Sequence, residues 1–352
     1  MREFGSEFNI DYARDYYFDN LAKSRPYFSY TRSGREAIAL AAEAMGQGVV
    51  LIPAYCCWSM ELPFEKSGWQ VEYYRLNEDL SVDLAFLAQQ MDKFAPKAVL
   101  VMNYFGFVPT DDVVSFVKKH SPESYVIEDF TQCLFWVDQQ LNPAVDAYVA
   151  SIRKSVGVPD GGLIMSSLPL KTVLLKKEDT LFSSLHRIAG REKTCYGYSA
   201  DAELKAGFRD LQGKAGTDIK ENYGLYQISE EARSVVEHTI VDNVRYARQA
   251  NYAHLYSMIA DCGGLKVLFE PSDNNKAPFM MIVLSENRDE FQKALAQKGV
   301  YAQLLWPLKD KAKALCPVSK KMEEQMLAIP IDQRYNWDDI EEIGNIIKEV
   351  LA

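Results

Sequence analysis

The stretch Asp146-Ala-Tyr-Val-Ala-Ser-Ile-Arg-Lys-Ser-Val-Gly-Val-Pro-Asp-Gly-Gly162 puts a lysine where few folds would put one. Residues 147–152 read as a short apolar strand, and Lys154 sits just past its end. The Gly161-Gly162 turn then leads into a second buried strand, Leu163-Ile164-Met165. A charged amine held between two core strands is costly unless its chemistry is used. Upstream, Tyr125-Val126-Ile127-Glu128-Asp129 is a matching apolar strand that ends in two carboxylates.

Outward from these strands, helix and strand alternate from Gly34 to about Ser166. The spacing predicts a helix over Arg35 to Met45, a strand over Val49 to Pro53, and a helix over Met60 to Lys66 that ends near Gly68. A strand follows at Val71 to Leu76, then a helix from Asp83 to Phe94. The fully apolar strand Ala98 to Met102 precedes a helix from Asp111 to Lys119. Apolar strands without polar alternation are buried on both faces, which predicts a mostly parallel sheet with helices outside. In such α/β sheets, ligands bind beyond the carboxyl ends of the strands, where Asp129 lies.

Residues 167–229 are less regular, contain Gly213-Lys-Ala-Gly-Thr217, and read as a mobile or partner-facing segment. Helical spacing runs from Glu230 to Ile259 and stops at Asp261-Cys262-Gly263-Gly264. A smaller α+β unit is expected beyond it. Its parts are a strand from Phe279 to Leu284, a helix from Asp289 to Lys298, a strand from Val300 to Leu305 and a helix from Trp337 to Leu351. The expected division is a large domain over residues 1–235 and a small one over 236–352.

At 352 residues, with 48% apolar and 25% charged side chains, the composition is that of a globular chain with a large core. Thirty-nine basic and 49 acidic residues give a net charge of −10, which argues against a nucleic-acid or anionic-membrane surface. Met1-Arg2-Glu3-Phe4-Gly5 lacks the apolar run of a secretory leader, and Val49 to Met60 is too short and too broken by Pro53 to span a bilayer. Six scattered cysteines, with no C-x-x-C spacing, and four dispersed histidines signal neither a disulfide framework nor a metal site. A cytoplasmic location is the expectation.

A lysine amine and an aspartate carboxylate, each at a strand end, are what a pyridoxal phosphate site needs. The amine joins the cofactor's aldehyde and the carboxylate pairs with the pyridine nitrogen. The competing readings are a solvated loop lysine and a helix-capping aspartate. Glu128, one residue earlier on the strand, points the opposite way. Ser33 and Gly34 open a helix whose backbone amides form a ready anion site, although Ser33 also reads as an ordinary cap.

Ser33-Gly34-Arg35, Ile52-Pro53-Ala54-Tyr55, Tyr104-Phe105-Gly106, Glu128-Asp129-Phe130-Thr131-Gln132, the Lys154 segment and Leu327-Ala328-Ile329-Pro330-Ile331 occur in that order. The ordered set resembles the DegT-type family of fold-type I pyridoxal phosphate enzymes, from about Ser33 to the C-terminus. Many members are aminotransferases acting on nucleotide-linked keto-sugars.

The resemblance implies a large sheet domain, a smaller C-terminal α+β domain and a homodimer. Lys154 and Asp129 would be catalytic, with Lys154 also moving the proton between substrate and cofactor. Ser33, Gly34 and Ser151 would meet the phosphate, and Gln132 the cofactor's ring oxygen. Arg35 stands where the family has threonine, open to a phosphate, a substrate carboxylate or solvent. Cys57 falls where the family stacks an aromatic ring, with Trp58 next to it as the replacement or as plain core. Asn222 loosely matches an asparagine that reaches the partner's phosphate. The implied activity is transfer of an amino group from an amino acid, glutamate first, to a keto-sugar. The alternatives are another reaction on the same cofactor, such as dehydration, or a silent member with a binding or regulatory role.

Overall fold

The computed structural model describes residues 15–177, 180–273 and 277–352; the N-terminal stretch read for a secretory leader lies outside them. The strands are β1 (Tyr27–Thr31), β2 (Val49–Pro53), β3 (Gln70–Tyr74), β4 (Ala98–Met102), β5 (Tyr125–Asp129), β6 (Ala147–Ser151), β7 (Gly162–Ser166), β8 (Lys266–Val267), β9 (Met281–Leu284) and β10 (Met326–Ile329). The helices are α1 (Tyr17–Lys23), α2 (Gly34–Met45), α3 (Trp58–Lys66), α4 (Leu84–Phe94), α5 (Asp111–His120), α6 (Leu181–Ser199) and α7 (Ala202–Glu221). They continue with α8 (Glu230–Glu237), α9 (Val241–Ile259), α10 (Arg288–Gln297), α11 (Asp310–Leu315), α12 (Pro317–Gln325) and α13 (Trp337–Leu351).

Seven strands form one sheet in the order β1-β7-β6-β5-β4-β2-β3. The pairs from β3 across to β6 are parallel, and β7 runs antiparallel to both β6 and β1. Every residue of β4 is buried, as are all but the first of β2 and β5, which fits a sheet covered on both faces. The mixed α/β class with a mostly parallel sheet is therefore as the apolar runs imply. Three short antiparallel strands, β10-β9-β8, form a second sheet. One face of it shares a separate apolar cluster with Leu255 and Ile259 of α9, Leu295 of α10 and Ile340 and Ile347 of α13.

The turn from β6 into β7 depends on its glycines. Gly161 has φ +142°, which L side chains rarely adopt, and donates its N–H to Arg32 O. A Cβ on Gly162 would lie 2.3 Å from the Ser33 carbonyl carbon, so only glycine lets the strand pass under the start of α2. These two contacts bring the Lys154 turn and the α2 N-terminus together.

Three expectations need correction. Residues 167–229 are mostly helical: α6 and α7 make an antiparallel hairpin closed by Phe182, Leu185, Ala215 and Ile219. Gly213 and Gly216 lie inside α7 facing open space, so the helix tolerates them. The single helix expected from Glu230 to Ile259 is two, because the chain turns at His238–Ile240 and Asp15 Oδ2 accepts the Val241 N–H at 2.6 Å. Val300 to Leu305 is not a strand; its one ladder contact is a bridge between Gln303 and Ala328. Sequence reading also passes over the edge strand β1 and the short helices α1, α11 and α12.

Candidate active site

Asp129 is the last residue of β5 and is buried. Its Oδ1 accepts the Thr131 N–H at 2.8 Å, a local cap on the turn that follows. Thr131 Oγ1 in turn accepts the N–H of Ser151, the last residue of β6, at 2.9 Å. Thr131 therefore ties the ends of adjacent parallel strands together, with Asp129 opposite Val149 in register. Burial raises the Asp129 pKa, while Thr131 and the Lys154 charge oppose the shift. A cationic nitrogen delivered to this carboxylate would restore the charge that burial penalises.

Lys154 ends a 3-10 turn directly after β6 and is exposed, with no hydrogen bond or ion pair among the described residues. Burial cost, which made the lysine conspicuous in the sequence, is thus not what the chain alone imposes on it. Its position is the stronger argument. It follows the strand next to Asp129, close enough for its charge to act on that carboxylate.

Above these strand ends lies the N-terminus of α2. A Cβ on Gly34 would stand 3.3 Å from the Ser151 Cβ, so the first turn of the helix rests on the end of β6. Ser33 Oγ accepts the Arg35 N–H at 3.2 Å and donates to Glu36 Oε2. The serine is thus a true helix cap, and its proton is already engaged. Glu36 also pairs with Arg32 at 2.7 Å in full burial, so those two charges answer each other. Arg35 is partly buried and Glu36, its nearest acid, is taken by Arg32; Arg35 Nε has no partner.

Arg153, the residue before Lys154, lies in the same cluster. Burial and the repulsion of Arg35 lower its pKa to about 10, with Asp160 opposing them. Its guanidinium sits 5.6 Å from the centre of the Phe182 ring. Beside it, burial and Arg153 push His186 down to about 4, which leaves that ring neutral at ordinary pH.

Gln132 and Trp58 have other partners. Gln132 is buried, and its Oε1 accepts the Phe105 N–H at 2.8 Å. That bond supports Phe105 at φ +57°, a left-handed conformation unusual for a bulky residue. Phe105 stacks on Trp306 at 6.4 Å and 9°, joining the β4 end to the segment before α11. Trp58 begins α3; its ring holds the Arg35 guanidinium and the Lys220 amine, each at 5.2 Å. Cys57 caps the same helix and its Sγ accepts from Ser59 Oγ at 2.9 Å. Asn222 bonds Asp218 at 2.6 Å within its own chain, while Tyr226 covers Arg32 at 4.3 Å.

Thus Asp129, Ser151, Gly34, Ser33, Arg35 and Lys154 gather at the carboxyl ends of the interior strands β5 and β6, whereas Gln132 braces the backbone beside them. Reasoning from the sequence missed Thr131 and Arg153, although both lie inside segments singled out for other residues. A cavity of about 760 Å³ lies elsewhere, walled by Phe28, Tyr30, Asp160, Gln227, Arg187 and Arg233. On its wall Arg187 pairs with Glu231 and Arg233 with Glu237. Among the described residues, no group of three or more His, Cys, Asp or Glu is placed to hold a metal ion. Likewise, no described helix is long and apolar enough to cross a membrane.

The DegT/DnrJ/EryC1/StrS aminotransferase family matches residues 234–348. The resemblance read from the motifs stands. The matched residues begin at α8, so they lie downstream of Lys154 and of every residue proposed to hold the cofactor. No curated protein matches the chain. Among solved structures, the sugar aminotransferase CalS13 from Micromonospora echinospora is 15% identical with a TM-score of 0.65, covering 94% of this chain and 91% of its own. PseC of Helicobacter pylori, an aminotransferase of pseudoaminic acid biosynthesis, is 12% identical with a TM-score of 0.65, covering 95% and 89%. A putative sugar aminotransferase from Streptococcus pneumoniae in its PMP form is 13% identical with a TM-score of 0.66, covering 95% and 88%. The chain has the fold-type I fold, and pyridoxal phosphate is the cofactor of the family's aminotransferases.

Proposed function

We propose that the chain is a pyridoxal phosphate-dependent aminotransferase that moves an amino group from an amino acid, glutamate first, to a keto-sugar, nucleotide-linked, in amino-sugar or polysaccharide biosynthesis. The observation that carries this reading is the pairing of buried Asp129 at the end of β5 with Lys154 just past the end of adjacent β6, under the N-terminus of α2. When bound, pyridoxal phosphate supplies an electrophilic aldehyde and an electron-withdrawing ring.

The chain's residues divide the remaining work. Asp129 would pair with the ring nitrogen and keep it protonated, and Thr131 holds that carboxylate in place. Lys154 would be the amine that anchors the cofactor's aldehyde and the base that moves a proton at the substrate carbon. Gly34, Ser151 and Arg35 face the phosphate, with the Ser33 hydroxyl committed to the cap. The exposed Lys154 needs cover against water, which favours a homodimer with the site at the interface of two cytoplasmic subunits.

Borohydride reduction of the cofactor-loaded protein followed by peptide mapping should leave the pyridoxyl group on the Lys154 peptide. Adding glutamate to the loaded protein should shift its visible absorbance and release 2-oxoglutarate in matching amount. Label on a different lysine, or a spectrum unresponsive to every amino donor, would overturn the aminotransferase reading.

A further inference from the structure

Three arginines, Arg32, Arg35 and Arg153, lie about the first turn of α2, and among the described residues only Arg32 of the three has an ion pair. Arg32 has Glu36 in full burial. Arg35 and Arg153 make no ion pair among the described residues; the Arg35 charge acts on Arg153, and the Arg32 charge on Arg35. The neighbouring groups do not neutralise them. Glu36 is taken by Arg32 and His186 is neutral, while the buried Asp160 carboxylate, which accepts the Ser229 N–H at 2.9 Å, offsets only part of the Arg153 charge. The remaining partners are rings: Trp58 at 5.2 Å from Arg35 and Phe182 at 5.6 Å from Arg153. Two partly buried guanidiniums without an ion pair beside a helix N-terminus leave a local excess of positive charge even with Asp160 counted, which suits a phosphate monoester anion.

We propose that Arg35 and Arg153 form a guanidinium clamp for the cofactor's phosphate, so that this chain holds the dianion with its own side chains. The inference rests on the pyridoxal phosphate reading above. The Ser33 hydroxyl, donating to Glu36, has no proton left for the phosphate, and the clamp supplies the charge the serine cannot. Gly34 resting on Ser151 puts the backbone of the helix start beside the residues leading to Lys154, so clamp and covalent anchor lie on the same turn of chain.

The test compares pyridoxal phosphate with pyridoxal, which carries the aldehyde and ring but no phosphate. Binding to the cofactor-free protein is followed by the visible absorbance of the adduct. Arg153→Met should weaken pyridoxal phosphate about 10²-fold while changing pyridoxal by less than about threefold, and Arg35→Thr should act in the same direction. Arg153→Lys, which keeps a point charge but not the fork, should recover part of the loss.

Inorganic phosphate should compete with pyridoxal phosphate, and not with pyridoxal, in the wild-type protein alone. The thermal midpoint gives a readout that a merely structural arginine would not give. Removing one of two repelling cations should raise the midpoint of the cofactor-free protein while shrinking the gain on adding pyridoxal phosphate. If wild-type protein binds pyridoxal phosphate and both Arg153→Met and Arg35→Thr keep the wild-type ratio of the two affinities, the clamp is overturned and the aminotransferase reading stands. If wild-type protein forms no adduct with either compound, the reading fails and the clamp with it.

Discussion

At Asp129 the chain supplies its own fixings: Thr131 N–H bonds the carboxylate, and Thr131 Oγ1 reaches across to Ser151. At Arg35 and Arg153, a helix turn away, the guanidiniums lean on aromatic rings and repel one another. The carboxylate end is an oriented group in a rigid frame, while the guanidinium end is charge without an ion pair among the described residues, met only in part by Asp160. A bound molecule orients itself by the first and gains most of its electrostatic energy from the second. Proteins tolerate unmatched buried charge poorly unless a ligand meets it, so the imbalance itself points to where an anion belongs.

The largest effect that would break this comparison is at Asp129. Asp129→Ala removes one half of the charge pair the site is built to make, a loss of about 3–5 kcal/mol. Pyridoxal phosphate and pyridoxal should weaken together, because both carry the ring nitrogen. The arginine variants, by contrast, should affect only the phosphate-bearing form. Titration of cofactor-free Asp129→Ala with both compounds checks this, with circular dichroism to verify the fold. Near-wild-type affinity for both would reduce Asp129 to a turn cap.

A second comparison lies on β5 itself, where Glu128 and Asp129 are consecutive, point to opposite faces and are both buried. Glu128 Oε2 has no hydrogen-bond partner, and burial raises its pKa from the ordinary 4.5 to about 8. The folded protein therefore holds this proton more tightly than the unfolded chain does. The stability Glu128 contributes is complete below pH 4.5 and is lost as pH rises to about 8, a change of about 3–5 kcal/mol. Asp129 and Glu36 are raised in the same sense, so the readout is a difference. Glu128→Gln should be close to wild type near pH 5 and more stable than wild type near pH 8, by denaturant unfolding at both values. A constant gap between the two proteins at all pH values would show that Glu128 does not titrate in this window.

The sheet was legible because its central strands are short, mostly apolar runs; β2, β4 and β5 begin and end where the sequence places them. The α6–α7 hairpin was not, because its glycines and surface polarity mimic a loop, and it closes on only a few apolar residues. The break before α9 depends on Asp15, a contact between residues 226 positions apart that no local spacing records. At the site, motif order located Asp129, Lys154 and the start of α2. It could not reveal that the Ser33 proton belongs to Glu36 or that Arg153 lies in the same cluster, since both are facts of packing. Nor does motif order reveal that Gln132 Oε1 accepts the Phe105 N–H.

The smallest effect sharpens the contrast between frame and charge. Thr131→Val keeps the shape of the side chain and the backbone bond to Asp129, but leaves the Ser151 N–H without its acceptor. Losing one partner of a partly buried hydrogen bond costs about 1–2 kcal/mol, and stability should fall by that amount. If Thr131 also sets the spacing between the ends of β5 and β6, the glutamate half-reaction should slow about tenfold, which is about 1.4 kcal/mol in the barrier. Pyridoxal phosphate affinity should change far less than in the arginine variants, because no charge is removed. Thr131→Ser, which restores the oxygen, should recover both stability and rate. Stopped-flow absorbance with glutamate separates the two roles: a loss of stability with an unchanged half-reaction rate would make Thr131 a structural tie that does not position Asp129 for the reaction.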